Sequence, residues 1–361
     1  MNSTLVIFFY LIFLDFLVVT YKRIKNYSFS ILFLFLGFFI VFATYKGLNS
    51  DWRVYRGYFE NASYLGSSDF EKGFDFLLFL SNKLGSFELI PLFALYSFFL
   101  LFIILYKEKI FGKTDYFIIL FSFYCSFLPL YFGALRQAIA SNFLFIFFTL
   151  FYKQKYKKSC IFLILCILFH KSSLLILAIY IIFRFYCYIT RKMKSELYIV
   201  STILIVVVIY LLLRVTIEKL FIALNMEYRL GNNENYTSNS IKDLFILAER
   251  IVFIFLSFIL LKSKKSLIQY FAKIYLGGNF FYCIFYSLAR NLAGRTLAFY
   301  RYLDVYFLYE SIRILLPKIV IKCSRNISYC DKDSINKIAL LLCILYSLIK
   351  YYITVIRSGV F

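Results

Sequence analysis

The chain has 361 residues and a formal net charge of +22, and 62% of its residues are hydrophobic. Apolar runs of membrane-spanning length recur from one end to the other, which excludes a soluble globular domain and indicates a polytopic helical membrane protein. Nucleic acid is not expected as a partner, because the lysines lie in short segments between apolar runs and form no continuous basic face. The eight cysteines include no Cys-x-x-Cys pair, so neither a zinc site nor a disulfide framework is indicated.

The apolar runs predict about twelve transmembrane helices, with roughly ten to thirteen as the range. The first run has no basic stretch before it and no small-residue cleavage site after it, so we interpret it as a span and not as a signal peptide. The predicted spans cover residues 4–20, 28–44, 88–106, 115–132, 136–152, 157–170, 172–189, 197–213, 244–261, 268–288, 297–316 and 338–356.

Basic residues cluster in every second loop between these spans. The positive-inside rule places such loops in the cytoplasm, which puts both termini outside the cell. Acidic residues then concentrate on the external side: Asp51, Glu60, Asp69, Glu71, Asp75, Glu218, Glu227, Glu234 and Asp243. The net charge is therefore interpreted as a topology signal.

Two predicted external segments are too long to be simple connectors. The first, 45–87, contains an amphipathic stretch from Phe74 to Leu84 that is suited to lie along the membrane surface. The second, 214–243, is polar and rich in asparagine. Long loops beside a compact bundle often bind or gate, although disordered external decoration is the alternative for both.

An arginine and the only histidine of the chain lie between long apolar runs, in a signature region that covers residues 133–190. Titratable groups at membrane depth are rare and usually functional. About thirty residues separate the basic clusters at 153–158 and 191–194, which leaves two helices of only about 15–17 residues each around His170. This short hairpin places His170 near the outer leaflet or in a cavity that opens outward, at the level of Arg136.

Several segments together resemble the EpsG-like branch of the Wzy-type polysaccharide polymerases of bacterial envelopes. The resemblance is carried by an Asp-x-x-x-Tyr segment at 51–55, a Tyr-Phe-Gly-x-x-Arg-Gln-x-x-Ala signature at 131–140, a Phe-His-x-Ser signature at 169–172, and a late Arg301 followed by Tyr306-Phe307 and Pro317. It covers most of the chain in pattern.

The resemblance implies a single integral membrane domain, all-α and multi-pass, in the bacterial plasma membrane. It implies transfer of an undecaprenyl-diphosphate-linked glycan onto the nonreducing end of another lipid-linked repeat unit on the outer face, building capsule, exopolysaccharide or O antigen. The implied partners are undecaprenyl-diphosphate-linked glycans and membrane lipid, with a chain-length regulator and a flippase as further candidates. Neither a cofactor nor a metal ion is expected.

Such a transfer must stabilise the charge of the leaving diphosphate, remove a proton from the acceptor hydroxyl and hold two amphiphilic substrates. Arg136 is the first candidate for the diphosphate charge, because a guanidinium pairs bidentately with phosphate oxygens. His170 is the candidate base, because an unperturbed imidazole titrates near ~6.5, and a structural hydrogen bond between helices is its alternative. Arg301 is the third catalytic candidate.

The remaining candidates are expected to bind substrate. Arg290 and Arg295 would complete a basic pocket with Arg301, or would snorkel to headgroups. Asp51 is also a reserve candidate for the base. The residues predicted to contact glycan or diphosphate, besides Trp52 as an aromatic candidate, are Asp51, Arg53, Tyr55, Arg56, Gln137, Lys171, Ser172, Arg290 and Arg295.

Three other classes of protein remain as alternatives. A flippase for lipid-linked oligosaccharides would have about as many spans but would show paired halves, and no internal repeat is found. A glycosyltransferase that uses a lipid-phosphate sugar would favour acids in the first external segment, where Asp51 and the Asp69-x-Glu71 pair lie. A membrane O-acyltransferase also uses an intramembrane histidine, but the Arg136-Gln137 signature fits it less well.

Overall fold

The structure, a computed structural model, describes residues 50–61, 66, 68, 70–87, 89–110, 134–174, 176–178, 180–181, 240–286, 294, 296–297, 299–323 and 332–351. Every regular element within these ranges is helical, in agreement with the predicted all-α class. The predicted spans at 4–20, 28–44, 115–132 and 197–213 lie outside the described residues, and so does most of the external segment 214–243. The number of spans and the side of the termini therefore stay predictions.

The described helices, numbered in chain order, are α1 (Ser50–Glu60), α2 (Lys72–Lys83), α3 (Leu89–Lys107), α4 (Leu135–Tyr152), α5 (Tyr156–Phe169), α6 (Ser240–Leu261), α7 (Ser266–Tyr286), α8 (Asp304–Cys323) and α9 (Lys332–Tyr351). Residues described between 173 and 181 are also helical. Helices α3, α4 and α5 begin and end within one residue of the apolar runs that predicted them. Among the described helices, α3 and α4 are long and apolar enough to cross a membrane.

The predicted span at 297–316 is not one continuous α-helix. A 3-10 turn at Arg301–Leu303 precedes α8, which begins at Asp304 and continues past Pro317 to Cys323. An aspartate in the first turn of a helix is favoured by the helix dipole, and this marks Asp304 as a starting point. The α-helical hydrogen-bond pattern is therefore interrupted inside the predicted span.

Helix α4 lies at the centre of a first group of helices, α1 to α5. All residues from 137 to 150 are buried, so α4 contacts neighbours on every side. Helix α3 contacts it through a hydrogen bond of 2.8 Å from Asn142 Nδ2 to Ser97 Oγ. Helix α5 returns antiparallel along α4, where Cys166 Sγ lies 3.1 Å from the carbonyl oxygen of Ala140. Asn142 and Cys166 thus have hydrogen-bonding partners on neighbouring helices.

The second group consists of α6 to α9 and contacts α4 through α7. The rings of Phe145 and Phe271 stack with centroids 5.2 Å apart. Tyr270 Oη donates to the carbonyl oxygen of Phe148 at 3.1 Å. At the end of α4, Tyr152 Oη lies 2.8 Å from Ser266 Oγ. The two groups form a continuous helical body along this seam.

Two ion pairs lie at opposite ends of α4. Lys155 follows α4 and pairs with Glu108 after α3 at 2.6 Å, whereas Arg136 stands in the first turn and pairs with Glu71 at 2.6 Å. The 18-residue helix separates these ends by about 27 Å. Lysines predicted to be cytoplasmic and residues predicted to be external therefore lie at different ends.

Candidate functional site

A carboxylate brings the two signature residues together at one end of the bundle. Glu71 Oε2 accepts a hydrogen bond of 2.6 Å from Arg136 Nη1, and Glu71 Oε1 lies 3.2 Å from His170 Nδ1. The backbone N–H of Lys171 donates to the same Oε1 at 3.2 Å. The side chains of Glu71, Arg136 and His170 are mostly buried. Glu71 therefore links segment 45–87, which is predicted to be external, to the signature region through charge as well as contact.

Helix α2 reaches this end because its first turn crosses α5 closely. A Cβ atom at Gly73 would lie 2.8 Å from the carbonyl oxygen of Leu168, so only glycine allows this approach. Two residues before Gly73, Glu71 occupies the N-cap position of α2 with an extended backbone. The close crossing therefore sets the distance between Glu71 and His170.

The turn before α2 is held by a second carboxylate on the same helix. Asp75 accepts hydrogen bonds from the backbone N–H of Gly66 at 2.6 Å and from that of Ser68 at 3.1 Å. Gly66 has a φ of +88°, a conformation that glycine adopts without strain. This turn leads the chain into Phe70 and Glu71.

Aromatic rings enclose the guanidinium of Arg136. Its Cζ lies 4.3 Å from the ring centroid of Phe70, 5.9 Å from that of Phe74 and 6.0 Å from that of Tyr55. Each such cation–π contact contributes about 0.5–2 kcal/mol, more when water is excluded. About a quarter of the arginine side chain (24%) stays exposed. Arg136 is thus held in one orientation while part of it still faces the surroundings.

His170 stands at the break between α5 and the next helical segment. Its backbone is extended, with φ −159° and ψ 111°, and its N–H donates to the carbonyl oxygen of Cys166 at 3.0 Å. The Ser173 hydroxyl donates to the carbonyl oxygen of His170 at 2.7 Å. The imidazole stacks against Phe299, with centroids 6.2 Å apart. Phe299 belongs to the second group of helices and leads into Arg301.

The pKa of the Glu71 carboxyl group is held far below its ordinary value of 4.5. Burial alone would raise this pKa, but the close contact with His170 and the positive charge of Arg136 outweigh burial. Glu71 therefore stays ionised at physiological pH and is a weak base. Its chemistry is that of a fixed negative charge that orients its partners.

The other predicted site residues do not all reach this cluster. Arg53 and Arg56 are exposed on α1, and Arg56 lies 3.9 Å from Glu60. Tyr55 is buried against Arg136, so its ring is not open to a sugar.

The remaining predictions fall close to the cluster or outside the described residues. Gln137 is buried next to Arg136, and Lys171 is exposed beside His170. The Ser172 hydroxyl oxygen is buried and has no hydrogen-bond partner within the described part of the chain. Asp51 and Trp52 lie on α1, but their side chains are outside the described set, as are Arg290 and Arg295 entirely.

Glu71 was not predicted as a site residue. The sequence offered only its place in an Asp-x-Glu pair that pointed to a different class of transferase. Phe299 was not predicted either, because one aromatic residue among many carries no distinguishing signal. Arg250, which is fully buried in α6, was also missed although a charge inside an apolar run is itself a signal.

A family model described as the EpsG family matches residues 26–361. The match covers most of the 361 residues, so the chain belongs to the EpsG family and the resemblance found in the sequence is confirmed. No curated protein and no solved structure matches the chain. Membership of this family supports two general statements: the chain is a membrane protein, and its role is related to polysaccharide polymerisation.

Proposed function

We propose that this member of the EpsG family polymerises undecaprenyl-diphosphate-linked repeat units into surface polysaccharide on the outer face of the bacterial plasma membrane. The observation that carries the proposal is the cluster of Glu71, Arg136 and His170 at one end of the bundle. The lysine-bearing ends of α4 and α7 lie at the other end, which supports an external position for the cluster. Twelve spans with both termini outside complete this proposed topology.

In the proposed reaction, an acceptor sugar hydroxyl attacks the anomeric carbon of a lipid-linked glycan. The carbon–oxygen bond to the diphosphate breaks as the glycosidic bond forms, and the lipid diphosphate leaves with the bonding electrons. His170 takes the proton of the hydroxyl. With Nδ1–H held toward Glu71, Nε2 is the basic nitrogen of the neutral ring, the arrangement in which a carboxylate orients a histidine base.

The leaving diphosphate requires more positive charge than Arg136 alone supplies. Glu71 offsets the charge of Arg136, so we assign the net positive charge of the site to Lys171 and Arg301. The exposed quarter of Arg136 contacts one phosphate oxygen. We assign to Ser172, two residues after His170, a hydrogen bond to a substrate oxygen, because its hydroxyl has no hydrogen-bond partner within the described residues.

A second candidate function is the transfer of single sugars from a lipid-phosphate donor, and the presence of Glu71 in the cluster favours it. The low pKa of Glu71 argues against this carboxylate as the base of such a transfer, and family membership favours the polymerase. Product length separates the two functions, because a polymerase makes a ladder of repeat units and a sugar transferase adds one sugar.

The test compares lipid-linked glycans in a deletion strain complemented with the wild-type protein, His170→Ala or Glu108→Gln. We expect polymer with the wild type and with Glu108→Gln, whose ion pair lies at the far end of α4. With His170→Ala we expect single repeat units on the outer leaflet and no polymer. Polymer of normal length with His170→Ala would remove the proposed base, and repeat units trapped on the inner leaflet of the deletion strain would indicate a flippase.

A further inference from the structure

A charged network lies in the middle of the second group of helices. Arg250 of α6 is fully buried and pairs with Asp304 through two parallel hydrogen bonds, Nη1 to Oδ1 at 3.0 Å and Nη2 to Oδ2 at 2.9 Å. Nη2 also donates to Glu249 Oε2 at 2.7 Å. Such a paired fork is the strongest and most directional contact that an arginine makes with a carboxylate.

All four helices of this group contribute to the network. Tyr275 of α7 donates its hydroxyl hydrogen to Asp304 Oδ1, and Asn279 Oδ1 lies 3.4 Å from Arg250 Nη1. From α9, Tyr346 donates to Glu249 Oε1 at 2.9 Å. The pair between Arg250 and Asp304 is thus closed off from all sides.

Because the network lies deep in the helical group, its charges carry a large desolvation free energy, which argues against a purely stabilising role. Arg250 is the eleventh residue of the 22-residue helix α6, so it lies about 16 Å from either end. Removing two charges from water costs several kcal/mol per ion, and well-packed apolar residues often replace a buried ion pair without loss of stability. Ionisable residues at such depth usually serve function.

The network contacts one end of the 3-10 turn that precedes α8. Residues 300–304, here called the elbow, include the 3-10 turn that interrupts the predicted span. At the start of the elbow, the Tyr300 ring packs so closely on Gly278 of α7 that a Cβ atom at position 278 would overlap it. At its end, Asp304 is held by Arg250 and Tyr275. Both ends of the elbow are therefore fixed by contacts with neighbouring helices.

Arg301 lies between the two fixed residues, Tyr300 and Asp304, and Phe299 directly precedes the elbow. Phe299 stacks on His170, so the elbow connects the network to the candidate site. Arg301 lies two residues after Phe299 and three residues before Asp304. A shift of the elbow would therefore move Arg301 relative to His170.

We propose that the pair of Arg250 and Asp304 is a positioning device that fixes the elbow and thereby aims Arg301 at the lipid diphosphate. The inference rests on the proposed polymerase function. Arg301 is the residue that contacts substrate, and Arg250 and Asp304 act through it.

The test is a double-mutant cycle on glycan extension, with membranes that contain equal amounts of protein and with lipid-linked glycans extracted from a deletion strain as the substrate. The paired apolar variant carries Arg250→Met and Asp304→Leu, which removes both charges of the pair, while Glu249 keeps its hydrogen bond from Tyr346. It is compared with Arg301→Ala and with the combination of all three changes. Glu310→Gln is the matched control, because Glu310 is a buried carboxylate on the same helix that pairs with Lys265 and Arg313 away from the elbow.

We expect the paired apolar variant to raise the KM for the lipid-linked glycan about tenfold, close to the effect of Arg301→Ala, and the combination to add little to Arg301→Ala alone. The control is expected to keep the KM of the wild type. The inference would be overturned if the KM effects of the paired apolar variant and of Arg301→Ala multiplied in the combination, or if the paired apolar variant kept the KM of the wild type. Extension by the wild-type protein would still support the polymerase in either case. Loss of the paired apolar variant and of Asp304→Asn from the membrane would assign the network to folding instead. Absence of extension by the wild-type protein would overturn the proposed function itself and the inference with it.

Discussion

At the scale of single residues, Glu71 connects parts of the chain that are far apart in sequence. Its partners Arg136 and Lys171 are 65 and 100 residues away. Sequence reasoning identified Arg136 and His170, because a lone arginine and a lone histidine between apolar runs are conspicuous. It did not identify Glu71, because the partner of a buried charge is decided by tertiary contacts that no local pattern records.

The substitution Glu71→Gln tests whether this carboxylate orients His170. Glutamine keeps the size of the side chain but removes the charge that holds Nδ1–H and balances Arg136. We expect polymer formation to fall by about ten- to a hundredfold, since an orienting partner typically contributes that much. Polymer is measured per amount of protein in the membrane.

The control for this substitution is Asp75→Asn on the same helix. Asp75 holds the turn before α2 and contacts neither Arg136 nor His170 in the hydrogen bonds it makes. We expect it to lower thermal stability and to retain most of the polymer. Equal activity of Glu71→Gln and the wild type would refute the orienting role.

The substitution Arg136→Lys tests whether charge alone is sufficient at this position. A lysine has no planar fork to lie over Phe70 while it donates to Glu71 and to a phosphate oxygen. We expect less than about a tenth of the wild-type polymer although the charge is kept. Full activity of Arg136→Lys in the complemented strain would reduce Arg136 to a point charge.

At the scale of helices, the apolar runs predicted α3, α4 and α5 closely, because a helix in a bilayer must be apolar along its whole length. The elbow at residues 300–304 was not predicted. Its sequence, Tyr-Arg-Tyr-Leu-Asp, holds two charged residues, but α6 and α8 also contain charged residues, so charge alone does not indicate a change from an α-helix to a 3-10 turn. The position of the 3-10 turn is fixed by Asp304, whose hydrogen-bonding partner Arg250 lies 54 residues earlier in the sequence.

The crossing of α2 and α5 yields a test at this scale. In Gly73→Ala the added methyl group would overlap the Leu168 carbonyl, so the first turn of α2 must move away from α5. Because this movement pulls Glu71 from His170, we expect activity to fall by about tenfold or more with smaller losses in stability. The measurement is polymer yield together with the melting temperature of the purified protein in detergent.

Gly57 provides the matched glycine for this experiment. A Cβ atom at position 57 meets nothing within 4 Å. Gly57→Ala is therefore expected to keep the activity and stability of the wild type. If Gly73→Ala behaved like Gly57→Ala, the close crossing would not set the geometry of the site.

At the scale of the whole molecule, the two ends of the bundle have different chemistry. One end carries the cluster of Glu71, Arg136 and His170, and the other carries the ion pair of Lys155 and Glu108. Phe299, directly before the elbow, brings the second group of helices into contact with the cluster. A site built from three distant regions at one end suits the proposed reaction, which must hold two lipid-linked substrates at one membrane face.

The most direct test of the polymerase is extension of lipid-linked glycans by the purified protein. Lipid-linked repeat units extracted from a deletion strain would be incubated with the wild-type protein or His170→Ala in phospholipid vesicles, and product lengths would be resolved by gel electrophoresis. We predict a ladder of products with the wild type and single repeat units with His170→Ala. Single repeat units with both proteins, or a product longer by only one sugar, would contradict a polymerase.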